Sequence, residues 1–386
     1  MQQDSVAAPT LHWKENDADR SARWRSEAGV MPPKSVVIAD DRLPADTAYR
    51  YACEGTAMLW RGDFQNARHL LQALMRRVSQ KPRKSSGKAK PPAPPPTMKE
   101  AFHLNRQAQA RRARILGMLL IPVDADYRIP LRRAPDVRQA CEEAYGPASE
   151  AFVVSLRELL ALVGAHEWRK AGVEIPALGA RIHPHFGVFS PIRGEYIDLV
   201  AQAPLPSKKL AFDIGTGTGV LAALLAKRGV ARVVATDLDQ RALACAQENL
   251  KRLGLERQVE LQQTDLFPDG LADLIVCNPP WLPGRPSSPI EAAVYDPESR
   301  MLRGYLDKLA AHLDTRGEGW LILSDFAEHL GLRAREELLS WIEAGGLRVV
   351  GRIDTRPKHG KATDTSDPLH AARSAEVTSL WRLAKK

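Results

Sequence analysis

AFDIGTGTGVLA, residues 211–222, begins as an apolar run, breaks into glycines at positions 215, 217 and 219, and resumes as GVLAALLAKRG (219–229). Glycine accepts positive φ and carries no Cβ. Gly215, Gly217 and Gly219 therefore let a chain leave a strand, turn sharply and start a helix with its backbone open to a ligand. Thr216 lies inside the same turn. Asp213 sits within the apolar run, where an unpaired carboxylate is costly, so it needs a ligand cation or the turn's own N–H groups. The stretch predicts a strand, a turn and a helix.

The pattern repeats downstream. Short apolar runs at 231–237 (ARVVATD), 258–265 (QVELQQTD), 271–280 (LADLIVCNPP) and 317–326 (GEGWLILSDF) alternate with helical segments at 240–254, 299–314 and 331–346. LRVVGRIDT (347–355) and EVTSLWRLA (376–384) close the chain. Alternating strands and helices predict a parallel sheet covered on both faces. The last two strands show no helix between them, which predicts an antiparallel pair.

Upstream the rhythm differs. Residues 1–40 are polar and weakly patterned and predict a loose tail. Residues 41–168 predict a small helical domain, with Leu59, Ala67, Leu70, Leu71 and Leu74 near helical spacing. Within it, SQKPRKSSGKAKPPAPPPTMKE (79–100) predicts a disordered insertion, because Lys, Ser and Pro bury too little surface to offset chain ordering. Residues 169–207 read as a short-strand lead-in and connecting helix; VEIPALGARIHPHFGVFSP (173–191) is hairpin-like. His183 and His185 flank a proline without a nearby carboxylate or thiol and read as loop residues, not metal ligands. The α/β domain occupies 208–386.

With 386 residues and 44% apolar side chains the chain has material for two domains. It has no 18-residue apolar run to span a membrane, and MQQDSVAAPTLHWKENDADR lacks the basic start and apolar core of a secretory signal. Cys53, Cys141, Cys245 and Cys277 are scattered and read as reduced thiols of a cytoplasmic protein. The net charge is +9, and it is uneven: residues 1–150 carry 25 Lys+Arg against 17 Asp+Glu, and 61–114 carries 14 against 2. That asymmetry suits either an anionic partner such as RNA or a solvated linker with a basic helix beside it.

Two acids end successive strands behind the glycine turn. Asp237, followed by Leu238, stands where a ribose diol lies when a nucleoside crosses the strand tips; Asp239 is its alternative. Asp265 is placed to accept a proton from an adenine amino group, with Leu266 against the ring. Either acid alone reads equally as a cap of the following segment. Gly217, Gly219 and Ala222 also satisfy G-x-G-x-x-A, so a nicotinamide-dependent oxidoreductase shares this signature.

DLIVCNPPW (273–281) supplies the remaining element. The ordered set Asp213–Gly219, Asp237, Asp265 and Asn278-Pro279-Pro280-Trp281, one per strand end, resembles the class I S-adenosylmethionine-dependent methyltransferases. It is most similar to the small-domain branch whose (Asn/Asp)-Pro-Pro-aromatic motif methylates planar nitrogens. The resemblance is strong over residues 185–345. It implies a Rossmann-like seven-stranded sheet with an antiparallel last strand, S-adenosyl-L-methionine as cofactor, and Asp213, Gly215, Thr216, Gly217, Gly219, Asp237, Leu238, Asp265, Leu266 and Asn278 around it. Catalysis falls to Asn278, Pro279, Pro280 and Trp281. The Asn278 oxygen and the Pro279 carbonyl accept the N–H bonds of a flat nitrogen, the prolines hold φ near −65°, and Trp281 stacks on the acceptor. Trp281 replaces the Tyr usual in the glutamine-modifying members.

The acceptor is then a planar nitrogen of the translation apparatus, either a protein glutamine amide or an exocyclic amine of an RNA base. The basic 61–114 region is the candidate RNA contact. Two other classes remain open on sequence grounds: the oxidoreductase, and a silent RNA-binding scaffold, against which intact Asn278 and Asp237 argue. Tyr295 and Asp296 are candidates for the acceptor pocket or for plain loop packing.

Overall fold

The computed structural model describes residues 9–80, 95–192, 194–357, 360 and 363–386. It divides into two compact units, Met1–Pro95 with His103–Glu167, and Pro96–Phe102 with Trp168–Lys386.

The first unit contains β1 (Thr10–Glu15), β2 (Ala18–Trp24), β3 (Ser35–Ala39), α1 (Ala45–Glu54), β4 (Thr56–Trp60) and α2 (Phe64–Ser79). It continues with α3 (Met98–Leu116), β5 (Leu119–Val123), α4 (Arg138–Tyr145), β6 (Phe152–Ser155) and α5 (Leu156–Ala171), the first turn of α3 and the last of α5 being assigned to the second unit. Its strands form one mixed sheet in the order β1-β2-β6-β5-β4-β3. This corrects two expectations. Residues 1–40 are not a loose tail throughout: β1 and β2 pair antiparallel around Asn16 and Asp17, both at positive φ as a tight hairpin turn requires. Leu11 and Trp24 from this hairpin are buried with Ala57, Leu59, Leu120 and Val153. Residues 41–168 are likewise not a helical domain but helices on a sheet. TAMLW and LLIPV are five-residue apolar runs buried along nearly their whole length; so short a run carries no period that separates a buried strand from a buried helix. The helical spacing at Ala67, Leu70, Leu71 and Leu74 belongs to α2, while Leu59 lies in β4. Of the expected insertion 79–100, Ser79 ends α2 and residues 98–100 begin α3; 81–94 lie outside the described residues.

The second unit opens with the hairpin β7 (Val173–Ile175) and β8 (Ala180–Ile182), then α6 (Glu195–Gln202). There follow β9 (Leu210–Ile214), α7 (Val220–Lys227), β10 (Arg232–Asp237), α8 (Gln240–Arg252), β11 (Val259–Gln263) and β12 (Ala272–Cys277). The chain ends with α9 (Arg300–His312), β13 (Leu313–Ser324), α10 (Phe326–His329), α11 (Arg335–Ala344), β14 (Leu347–Thr355), α12 (His370–Ala375) and β15 (Thr378–Lys385). The sheet order is β11-β10-β9-β12-β13-β15-β14, with β15 antiparallel to both neighbours. One detail differs from the sequence reading. The six-residue α12 stands between the last two strands, too short to reveal a helical period.

Burial follows the two-residue alternation of strands. Ala211, Val233, Ala235, Leu274, Val276, Trp320 and Ile322 face one core with α6 and α7. Phe212, Ile214, Val234, Ile275, Cys277, Leu321 and Leu323 face the other with α9. Helix α7 is apolar nearly all round and almost wholly buried. Helix α8 buries Ala242, Cys245, Ala246, Asn249 and Leu250 at i, i+3, i+4, i+7 and i+8, and Asp239 caps it by accepting the Arg241 N–H.

Candidate active site

The chain runs from β9 outward through β10 and β11, then returns to place β12 on the other side of β9. Strand order reverses there, and ligands of open α/β sheets bind outside the carboxyl ends at such a point. Ile214 is in register with Thr236 on one side and Cys277 on the other. Gly215, Asp237 and Asn278 therefore stand side by side at one sheet edge.

The glycine turn needs its glycines for different reasons. Gly215, Gly217 and Gly219 all have positive φ, at 71°, 55° and 81°. A Cβ at Gly215 would lie 2.7 Å from the Met301 methyl, and one at Gly219 would lie 3.1 Å from that of Ala246. At Gly217 a Cβ would meet nothing within 4 Å, so this side of the turn is open. The turn is tied down by Thr216 N–H to Thr236 O (2.8 Å), Gly219 N–H to Thr216 O (2.9 Å) and Gly217 N–H to the Asp237 carboxylate (3.0 Å).

Asp213 lies beneath the turn rather than in the crevice. It is 1% exposed, and its Oδ2 accepts the Thr216 hydroxyl at 2.7 Å and the Ala222 N–H at 3.0 Å. The turn's own groups, not a ligand cation, thus answer the sequence question. Burial pushes its carboxyl up to about 6 against those two bonds.

Asp237 accepts Gly217 N–H through one oxygen and Asp239 N–H through the other. Burial raises its carboxyl above the ordinary range. Asp239 is engaged as the α8 cap, which leaves Asp237 as the strand-end acid facing the turn. Leu238, beside it, is a large apolar side chain that is 63% exposed. Asp265 is exposed and pairs with Arg300 at 3.2 Å. Leu266 follows at φ 73°, strained for a branched side chain. Its carbonyl accepts the Thr236 hydroxyl at 2.6 Å. Thr236, fully buried, thus ties the glycine turn to the Asp265 loop; the sequence reading passed over it, although a threonine in an apolar strand just before Asp237 was the available signal.

At the end of β12, Asn278 Oδ1 accepts the indole N–H of Trp281 at 2.9 Å. Pro279 is buried and Pro280 half-buried. The half-buried Trp281 ring packs against both core clusters. Beyond it, Leu282 exchanges backbone bonds with Val294 and Asp296. Asp296 is buried and caps α9 by accepting the Met301 and Leu302 N–H groups, so it is packing, not pocket. Tyr295 is half-buried in a cluster with Leu282, Phe326 and Phe102.

His183 contacts Arg169 O at the end of α5 at 2.6 Å, and His185 contacts Glu248 of α8 at 2.7 Å. Among the described residues no group of three or more His, Cys, Asp or Glu is placed to hold a metal. The four cysteines are free thiols.

Sheet order, glycine turn and Asn-Pro-Pro corner together define a Rossmann-like domain of the methyltransferase type. A family model described as the methyltransferase small domain matches residues 180–328. The chain is 30% identical over 187 residues to the tRNA1(Val) (adenine(37)-N6)-methyltransferase of Tolumonas auensis, covering 47% of this chain and 76% of that protein. It is 32% identical over 139 residues to the ribosomal protein L11 methyltransferase of Aliivibrio fischeri (36% of this chain, 45% of that protein). It is 42% identical over 118 residues to the release factor glutamine methyltransferase of Cereibacter sphaeroides (30% and 40%). The matches to these last two span less than half the relative's length. The chain belongs to the methyltransferase small-domain family. No helix among the described residues is long and apolar enough to cross a membrane.

Proposed function

We propose that the chain is an S-adenosyl-L-methionine-dependent N-methyltransferase whose acceptor is a planar nitrogen in the translation apparatus. The observation that carries this is the register Ile214↔Cys277, which sets the glycine turn and the Asn278–Trp281 corner at adjacent strand ends. Family membership supports it, and so do the named relatives, whose acceptors are a ribosomal protein, a release-factor glutamine and a tRNA adenine.

The residues at hand fit the cofactor. The open side of Gly217 admits a ligand against backbone, Asp237 offers carboxylate acceptors to ribose hydroxyls, and exposed Leu238 and strained Leu266 offer apolar cover to a purine. S-adenosyl-L-methionine supplies a methyl group already activated on a sulfonium. The chain's task is to orient the acceptor. An amide or exocyclic amine delocalises its lone pair and is a poor nucleophile. Asn278 Oδ1 and the Pro279 carbonyl each accept one N–H, aim the lone pair, and stabilise the positive charge that develops on nitrogen. Alignment of this kind contributes up to about 7–11 kcal/mol. No histidine or glutamate base is needed before transfer.

The test is transfer of labelled methyl from S-adenosylmethionine to cell extract, followed by separate ribonuclease and protease digestion. Wild type labels a macromolecule, and Asn278→Ala keeps cofactor binding but loses labelling. Equal labelling by the variant overturns the catalytic assignment. Binding of NAD(H) in place of S-adenosylhomocysteine revives the oxidoreductase.

A further inference from the structure

Between Phe102 and Ile115, helix α3 buries no residue fully. Residues 103, 104, 107–112 and 114 are exposed, and the other three are half-buried. This stretch, HLNRQAQARRAR, holds Arg106, Arg111, Arg112 and Arg114 and no acid. Gln107, Arg111 and Arg114 follow the i, i+4, i+7 stripe of a helix face, with Arg112 beside it. Arg106 to Arg114 span about 12 Å along the axis.

A largely exposed polar helix segment that merely crosses solvent is normally laced with opposite charges at i, i+4. This one has neighbouring like charges instead. Several surface arginines elsewhere are paired: Arg77 with Asp46, Arg132 with Asp41, Arg138 with Asp136, Arg252 with Glu248. Arg111, Arg112 and Arg114 form no ion pair among the described residues. The surface is not a membrane face, since Leu104 is its single large apolar side chain and membrane helices segregate an apolar side. What it offers is guanidinium groups interleaved with the amides of Asn105, Gln107 and Gln109. Such a set suits phosphates alternating with hydroxylated sugars, to which guanidinium groups and side-chain amides both donate.

We propose that residues 103–114 of α3 are an RNA-binding surface that grips the phosphate backbone of the methyl acceptor. This rests on the reading given under Proposed function and deepens it by assigning the acceptor an RNA component.

The experiment is fluorescence anisotropy of the full chain with a labelled mixed-sequence RNA, the same sequence as DNA, and polyglutamate, across about 50–200 mM salt. A triple variant, Arg111→Gln/Arg112→Gln/Arg114→Gln, is exposed and leaves the cores intact. Wild type is expected to prefer RNA. The variant is expected to bind RNA at least about tenfold more weakly at low salt, with its log–log salt slope reduced by about 2, near 0.7 per lost contact. Unchanged affinity and slope in the variant overturn the proposal, as does wild type binding polyglutamate or DNA as tightly as RNA. S-adenosylhomocysteine binding is measured in parallel. Its absence from the wild type defeats the methyl-transfer reading and leaves the RNA result to stand or fall by itself.

Discussion

The indole N–H of Trp281 donates to Asn278 Oδ1 across 2.9 Å. A carbonyl oxygen has two lone pairs, so the indole occupies one and leaves the other for an acceptor N–H. The bond also fixes which way the Asn278 amide points. A tyrosine or phenylalanine at this position has no ring N–H to offer. The tryptophan that departs from the glutamine-modifying pattern thereby gives the asparagine a hydrogen-bond partner.

Trp281→Phe keeps the aromatic packing and removes the donor. Labelling rates are expected to fall about 5- to 10-fold, the worth of one neutral hydrogen bond. Asn278→Ala is expected to lose about 100-fold or more, in the range of a lost charge-stabilising group. Calorimetry with S-adenosylhomocysteine should give wild-type affinity for both; a tenfold loss of cofactor binding in either would contradict the division of roles.

Two glycines of the turn should respond differently to alanine. Gly219→Ala drives a Cβ into Ala246 at positive φ, and a stability loss of about 1–3 kcal/mol is expected by chemical denaturation. Gly217→Ala meets no protein atom within 4 Å and should cost about 1 kcal/mol through φ alone. Its larger effect is a tenfold or greater loss of S-adenosylhomocysteine affinity. Equal affinity in Gly217→Ala would show that no ligand approaches that side.

Asp213 gives stability a pH dependence. Its carboxyl titrates at about 6 when folded and 3.8 otherwise. Between those values the folded chain holds the extra proton, so stability falls as pH rises through the window. The contribution is complete near pH 4 and gone above pH 6, about 3 kcal/mol in all. Asp213→Asn retains an acceptor for the Ala222 N–H and does not titrate. Its thermal midpoint should show a shallower slope over that window than the wild type, and identical slopes would count against the buried carboxyl.

Leu238→Ser tests the exposed apolar residue beside Asp237. Stability should stay within about 0.5 kcal/mol, since nothing covers the side chain. S-adenosylhomocysteine affinity should drop about tenfold, reflecting lost apolar burial on binding. A wild-type dissociation constant would remove Leu238 from the ligand's surroundings.

The second unit was legible because its signals are local. Three glycines after an apolar strand, acids at 237 and 265, and a proline corner at 278–281 each mark a strand end without knowledge of the rest. For Asp213 the sequence offered two answers, a ligand cation or the turn's own groups, and the choice was not readable because its partners Thr216 and Ala222 are specified only once the turn closes. The indole–amide bond was hidden for the same reason. The first unit resisted for a different cause. TAMLW and LLIPV are short and apolar along nearly their whole length, so neither period applies, and TLHWKENDADRSARW disguises a hairpin among polar outward residues. There the Asn16-Asp17 turn and the alternation of Leu11, Trp13, Ala22 and Trp24 were the signal that went unused.

Asp237 shares its two oxygens with the amides of Gly217 and Asp239, so backbone on both sides of the strand end fixes where its remaining lone pairs point. A sugar diol would then meet a carboxylate oriented by the chain itself, and analogues missing one hydroxyl should be discriminated in affinity.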